Sequence, residues 1–202
     1  LFTKLGVFDN YSPVVNESLY NAKFIFLGNI HPDMQMSIID KASDNQIVIL
    51  DTMNLWIDIS LEALKKVISQ TNIFLLNDEE AFLLTQTEII EDAAEVLINM
   101  GPEIIIIKKG SLGSYLYDKK NNIKVNIPSF PIDNVVDTTG AGDSFAGGFV
   151  GNIQNTNIID AVIFGSAIAS FTVSAFGIDG LINIDKKELN NRINYIKSEI
   201  KD

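Results

Sequence analysis

Short apolar runs alternate with stretches of helical period over most of the chain. Lys23 to Leu27 (KFIFL), Gln46 to Leu50 (QIVIL), Asn72 to Leu76 (NIFLL) and Ile104 to Ile107 are nearly continuous in apolar residues. Such runs mark strands buried on both faces of a parallel sheet. Between them the pattern predicts helices from about Pro32 to Ala42, around Leu61 to Ser69, near Asp78 to Leu84 and over Ile90 to Met100. Gly101-Pro102 then punctuates the chain. Strands alternating with helices give βαβ units and an α/β layered fold. From Ser114 to Ile127 the character changes: Ser-Tyr-Leu-Tyr, a polar Asp-Lys-Lys-Asn-Asn and Ile-Lys-Val-Asn-Ile predict a β-hairpin. After Pro131 the pattern is helical over Gly142 to Ile153, Ile158 to Phe176 and Lys186 to Ile200. No internal repeat or low-complexity linker interrupts it, so residues 1–202 read as one domain.

Composition narrows the class of partner. The chain has 202 residues, 47% of them hydrophobic, and a formal net charge of −11. That length is ample for a sizeable core. Nucleic acid is disfavoured as a partner, because its binding draws on Lys and Arg against phosphate. An anionic membrane surface is disfavoured for the same reason. Cysteine is absent, which excludes disulfides, zinc-thiolate sites and thiol catalysis. The most membrane-like stretch, Ala161 to Phe176, contains Ser166, Ser170, Thr172 and Ser174 and is shorter than the ~20 residues of a bilayer span. It reads as a buried helix. Leu1 opens the chain without a basic segment, so no secretory leader is expected and a cytoplasmic location is. Without an initiator Met, the chain reads as a piece of a longer polypeptide.

The segment that carries chemistry is Asp137-Thr-Thr-Gly-Ala-Gly-Asp143-Ser-Phe-Ala-Gly-Gly148, a glycine-rich turn feeding a helix. Gly140, Ala141 and Gly142 let backbone N–H groups converge, and the helix N-terminus adds partial positive charge. Together they make a nest for phosphate or a developing oxyanion. The dinucleotide fingerprint fails because Phe145 stands at its third glycine, and no P-loop run exists. Asp143 would repel phosphate from such a nest unless it serves as a general base. Capping of the helix explains it equally well at this point.

This segment resembles the C-terminal signature of the ribokinase-like, or PfkB, family of carbohydrate and nucleoside kinases. Further matches occur in the family's order. Asn77-Asp-Glu-Glu80 is similar to its N-x-x-E motif, and Lys108-Lys-Gly110-Ser-Leu-Gly113 to its ATP loop. Phe164-Gly-Ser166-Ala, in a segment ending at Gly177, is similar to the helix bordering the adenine. Asp51-Thr-Met-Asn54-Leu-Trp56 resembles the D-x-N-x-R…W segment of some members, without its Arg. The resemblance implies a three-layer α/β/α fold with a mostly parallel central sheet. It implies an ATP-dependent kinase that phosphorylates a hydroxyl of a small sugar, with a nucleoside as the alternative acceptor.

On the same resemblance Asp143 is the base, and Gly140, Ala141 and Gly142 form the anion hole. Asn77 approaches the nucleotide phosphates and Glu80 orients Mg2+ through water, although Asp78 to Glu80 equally suit the first turn of a helix. Lys108, Lys109, Gly110 and Gly113 wrap the ATP phosphates or ribose, with either lysine available to point inward. The same glycines would also serve a turn into the hairpin. Asp137 and Thr139 match positions that hold a K+-type cation in some members, or simply stabilise a turn. Ser166 falls near the adenine, where tight helix packing is the plainer reading. His31 is given no role beyond the loop, and Trp56 is expected in the core.

The family's N-terminal portion, with an acceptor-gripping Asp and most of the lid, is absent. Residues 1–20 are at most a remnant of the lid region. The chain alone is therefore not expected to be a competent kinase. Dimerisation through a lid sheet is common in the family, so a homodimer is noted. A catalytically silent nucleotide-binding module of the same fold is the alternative from another class, and the retained Asp143 argues against it. A synthase-like relative acting on a vitamin precursor is a third, but such relatives often carry Cys in the anion loop.

Overall fold

The computed structural model describes residues 21–201 together with Gly6, Tyr11 and residues 13–16. Most of the proposed lid remnant, residues 1–20, lies outside the described residues. Among the described residues six strands form one sheet in chain order: β1 (Phe24–Leu27), β2 (Ile47–Asp51), β3 (Ile73–Asn77), β4 (Ile104–Lys108), β5 (Ser114–Asp118) and β6 (Ile123–Ile127). Strands β1 to β4 are parallel, and β5 and β6 add the expected antiparallel hairpin.

The connections between parallel strands carry α1 (Pro32–Ile39), then α2 (Asn54–Ile59) and α3 (Leu61–Ser69), then α4 (Asp78–Thr85) and α5 (Ile90–Ile98). Crossovers between parallel strands are right-handed. A sheet that grows steadily in one direction therefore receives them all on one face. The other face is left for α6 (Ala141–Ile153), α7 (Ile158–Thr172) and α8 (Lys186–Ser198). The result is the three-layer α/β/α arrangement.

Two cores result from the period-2 geometry of the strands. Val48, Leu50, Phe74, Leu76, Ile105 and Ile107 face Trp56, Leu64, Val67 and Leu97. Their alternates Ile49, Ile73, Leu75 and Ile106 face Phe145, Phe149, Val162 and Ile196. Among the described residues no helix is long and apolar enough to cross a membrane. Strand β1 is an edge strand among the described residues. A cavity of about 330 Å³ lies along it, lined in part by Phe24, Phe26, Met34 and Ile38.

The differences from the sequence pattern are local. The six-residue α2 has no counterpart in that pattern, because Asn54 to Ile59 is too short to display helical period. Helix α1 stops at Ile39 rather than Ala42, and α7 at Thr172 rather than Phe176. At the latter end the Val173 carbonyl accepts the N–H of Val136, 2.9 Å away. A carbonyl engaged by an incoming loop is one the helix does not use, and the exposed Phe176 lies beyond.

Helices α6 and α7 cross at two glycines. A Cβ on Gly165 would stand 2.7 Å from the Phe145 carbonyl oxygen, and one on Gly148 3.1 Å from the Gly165 Cα. Backbone cannot retreat as a side chain can. Gly165→Ala is therefore expected to lower stability by about 1–3 kcal/mol, read as a lower urea midpoint at unchanged m. An unchanged midpoint would show that the two helices separate at no cost.

Candidate active site

Strand periodicity places the charged residues. Asp51 comes two residues after Ile49 and Lys108 two after Ile106, so both project onto the α6 face. They lie on strands separated by β3, and the long lysine crosses it. The Lys108 Nζ donates to Asp51 Oδ1 at 3.0 Å and to Oδ2 at 2.9 Å. Only 16% of the lysine side chain and 11% of the aspartate side chain are exposed. A Cβ built on Gly142 would lie 3.5 Å from the same Nζ, so the ammonium rests against the first turn of α6. Burial pushes the Asp51 carboxyl above its ordinary value. Lys108 opposes that push and the nearby Asp143 adds to it.

The two candidate lysines are thereby separated. Lys108 points inward, whereas Lys109 Nζ donates to Asn126 Oδ1 on the hairpin at 2.5 Å. The loop between them and β5 is a single 3-10 turn, Gly110–Leu112. Gly113 adopts φ +88°, and a Cβ there would meet the Ile127 carbonyl oxygen at 2.1 Å. That glycine is required by the approach of β6, as the turn reading expects.

Asn77 closes β3, opposite Lys108 in the sheet register, and caps α4. Its side chain accepts the Glu80 N–H, and the Glu80 carboxylate accepts the Asn77 N–H, each at 2.8 Å. This is a complete capping box, so the structural reading of the motif holds in full. It also buries Glu80 to 5% exposure. Burial is the main reason its pKa is pushed up to about 7. The Asn77 N–H and Lys108 pull it down, while Asp51 and Glu79 push it further up.

The glycine-rich turn is held from two sides. Gly140 takes φ +77° as the N-cap of α6, a conformation that glycine adopts without strain. The first helical hydrogen bond runs from Ser144 N to Gly140 O at 2.9 Å, and Ala141 N is turned back to Thr138 O at 3.2 Å. The N–H groups of Gly142 and Asp143 thus fall in the first turn, ahead of any i−4 carbonyl. Asp137 Oδ1 accepts the Thr139 N–H at 2.9 Å; this bond holds the Asp137 carboxyl below its usual range. Thr172 donates to the Ser144 hydroxyl at 2.8 Å and ties α6 to α7. The Asp143 side chain itself is exposed in the first turn.

Lys108 bears on the ionisation of both Asp51 and Glu80, Asp143 bears on that of Asp51, and Gly142 adjoins the lysine, so these residues form one cluster. Lys109 lies outside this cluster, and Ser166 is buried within α7 beside the tightly packed Gly165. Periodicity alone does not link Asp51 to Lys108, because the pairing depends on strand order. The signal in the sequence is the polar residue closing each of β2, β3 and β4. His31 accepts the Asp33 N–H, caps α1 and meets the Trp56 ring edge-on at 5.1 Å. Trp56 is buried and donates to Asn29 Oδ1 at 2.7 Å.

Chemically, the cluster joins a fixed ammonium and a helix N-terminus, both suited to an anion, to carboxylates suited to a hard cation. Glu80 yields a pH signature. Its folded pKa lies above the ordinary glutamate value of 4.5, so its favourable contribution is complete below that value and is lost as pH rises through about 7. In metal-free buffer, Glu80→Gln is expected to gain roughly 1–3 kcal/mol on wild type between pH 5 and pH 8. Urea unfolding at both pH values measures it. A difference that stays constant with pH would show that Glu80 ionises normally.

Comparison with known proteins gives these features a family. Residues 11–183 match the pfkB family of carbohydrate kinases. A nucleoside kinase of Methanocaldococcus jannaschii is 30% identical over 167 residues, 81% of this chain and 53% of that protein. The solved structure of the nucleoside kinase from that organism superposes with a TM-score of 0.74 at 26% identity, covering 93% of this chain and 60% of the other. The structure of Arabidopsis thaliana ribokinase complexed with ribose and ATP gives the same TM-score, 0.74, at 24% identity, over 90% of this chain and 61% of that one. The chain spans about half the length of the curated relatives it matches. With its polar strand ends, glycine-rich turn and sheet order in register with that match, the chain belongs to the pfkB family of carbohydrate kinases.

Proposed function

We propose that the protein carrying this chain transfers the γ-phosphoryl group of ATP to a hydroxyl of a small sugar. The observation that carries the reading is the exposed Asp143 carboxylate in the first turn of α6, beside helix N–H groups and the Lys108 ammonium. Asp143 accepts the proton of the acceptor hydroxyl as its oxygen attacks the γ-phosphorus, and the bond to the ADP oxygen breaks. The Gly140-Ala141-Gly142 loop, through the N–H groups of Gly142 and Asp143 and together with Lys108, stabilises the equatorial oxygens. Positioning and charge stabilisation of this kind supply most of the rate in phosphoryl transfer.

Magnesium fits the donor set, since Glu80 offers a carboxylate that burial raises in pKa and that a cation would hold in its charged form. Bound there through water, the cation would neutralise phosphate charge. Asn77 lies beside it, at the end of β3. The loop from Gly110 to Gly113 would cover the nucleotide, with Lys109 at its outer edge. Ser166 contributes through the packing of α7 behind the adenine. A K+-type cation behind the anion loop would be held by Asp137 and Thr139, whose present hydrogen bond already shapes that turn.

A free sugar is the preferred acceptor, on the likeness of the Asp51 to Trp56 segment to sugar-kinase members. A nucleoside is the second reading, favoured by the relatives named nucleoside kinase and cytidine kinase. Both demand a sugar hydroxyl at Asp143. The test is ADP release by the complete gene product with magnesium ATP, across sugars and nucleosides. Asp143→Asn is expected to lower turnover at least ~10²-fold, with ATP affinity within threefold of wild type. Undiminished turnover in the variant would remove Asp143 from the role of base. ATP binding without turnover on any acceptor would favour the silent module.

A further inference from the structure

An ammonium has three N–H donors. Two of those on Lys108 are directed at Asp51 Oδ1 and Oδ2, 3.0 and 2.9 Å away. The nitrogen also lies against the Gly142 backbone at the start of α6. The lysine reaches this position only by stretching across β3. Neighbouring strands are about 4.8 Å apart, so the two Cα positions stand on the order of 10 Å from each other across the sheet. An untethered four-carbon stem would sample many rotamers there. Held by both carboxylate oxygens, it has one orientation and one remaining N–H.

We infer that Asp51 is a positioning residue: it fixes the Lys108 ammonium against the first turn of α6, so that the remaining N–H faces the phosphoryl group in transfer. The inference rests on the proposed phosphotransferase reading and extends it to a residue that touches neither nucleotide nor acceptor. The device has a cost in nucleotide binding. A buried carboxylate beside the phosphate site repels the anion and offsets the lysine's charge, so Asp51 weakens ground-state binding while it orders the transition state. Removing it should separate kcat from KM, which a merely structural ion pair would not do.

The experiment uses the complete gene product. Turnover is measured with the best acceptor, AMP-PNP binding with magnesium by calorimetry, and folding by thermal unfolding. Asp51→Asn is expected to lose at least tenfold in kcat, with AMP-PNP bound as tightly as by wild type or up to threefold tighter. Lys108→Met is expected to lose at least tenfold in AMP-PNP affinity. Adding Asp51→Asn to Lys108→Met should change kcat by less than twofold, because the aspartate acts only through the lysine. Should Asp51→Asn fail to fold, Asp51→Glu keeps the charge and shifts the carboxylate by one methylene. It is expected to lose at least fivefold in kcat at unchanged AMP-PNP affinity.

Independent, multiplying effects of the two single variants would overturn the inference. So would wild-type kcat in Asp51→Asn, or in Asp51→Glu where that variant stands in. If wild type turns over no acceptor, the functional reading fails on that ground, and the inference is judged on AMP-PNP alone. It then stands if Lys108→Met weakens binding tenfold while Asp51→Asn does not. It falls if both variants weaken binding equally, or if Lys108→Met binds within twofold of wild type.

Discussion

The handedness of the crossovers is the constraint on which the rest of the molecule depends. Four parallel strands laid down in chain order commit α1 to α5 to one face of the sheet. The bare face, carpeted by Ile49, Leu75 and Ile106, is left to the C-terminal helices to cover. The hairpin β5–β6 ends the parallel run and delivers the chain to that face, where α6 and α7 pack through glycines. The glycine-rich turn that opens α6 consequently stands over the carboxyl ends of β2 to β4, the usual ligand position in an open α/β sheet. Neither the turn nor the strand ends would make a site alone.

The architecture was legible in the sequence because buried parallel strands advertise themselves. QIVIL, NIFLL and IIII admit little besides a strand covered on both faces, and their helical spacers fix the class. Helix ends were less legible, since they depend on partners distant in sequence, such as the Val136 N–H at the end of α7. For the site, the residue types and the glycine-rich turn could be read directly. The choice between Lys108 and Lys109 could not, because neighbouring residues on a strand face opposite ways and only the packing of α6 says which way is inward. Asp51 and Lys108 are 57 positions apart, and their ion pair exists only once strand order is known.

Net charge and local charge act here on different scales. A molecule of net charge −11 presents an unfavourable field to a polyphosphate, and nothing in its composition suggests a phosphate site. What counts is local. One lysine is held on the sheet by Asp51, and the first turn of α6 rests against its ammonium. Burial of the lysine lowers the dielectric around it and strengthens its field. Net charge speaks to solubility and to large polyanionic partners; it does not bear on a site a few ångströms across.

The same low dielectric explains why the acidic residues take different forms. Glu80 is buried without a full counter-charge and sits near neutrality in pKa, so its ionisation is coupled to whatever positive charge arrives beside it. Asp51 is buried with its counter-charge in contact, which opposes the upward push of burial without cancelling it. Asp143 stays in solvent reach in the first turn of α6, at the glycine-rich turn. Glu80 and Asp51 are thus differentiated by burial and by contact with a single ammonium. Each difference comes from where strand periodicity and the α6 turn put the side chain. In that sense the sheet order that fixes the fold also sets the protonation chemistry of the site.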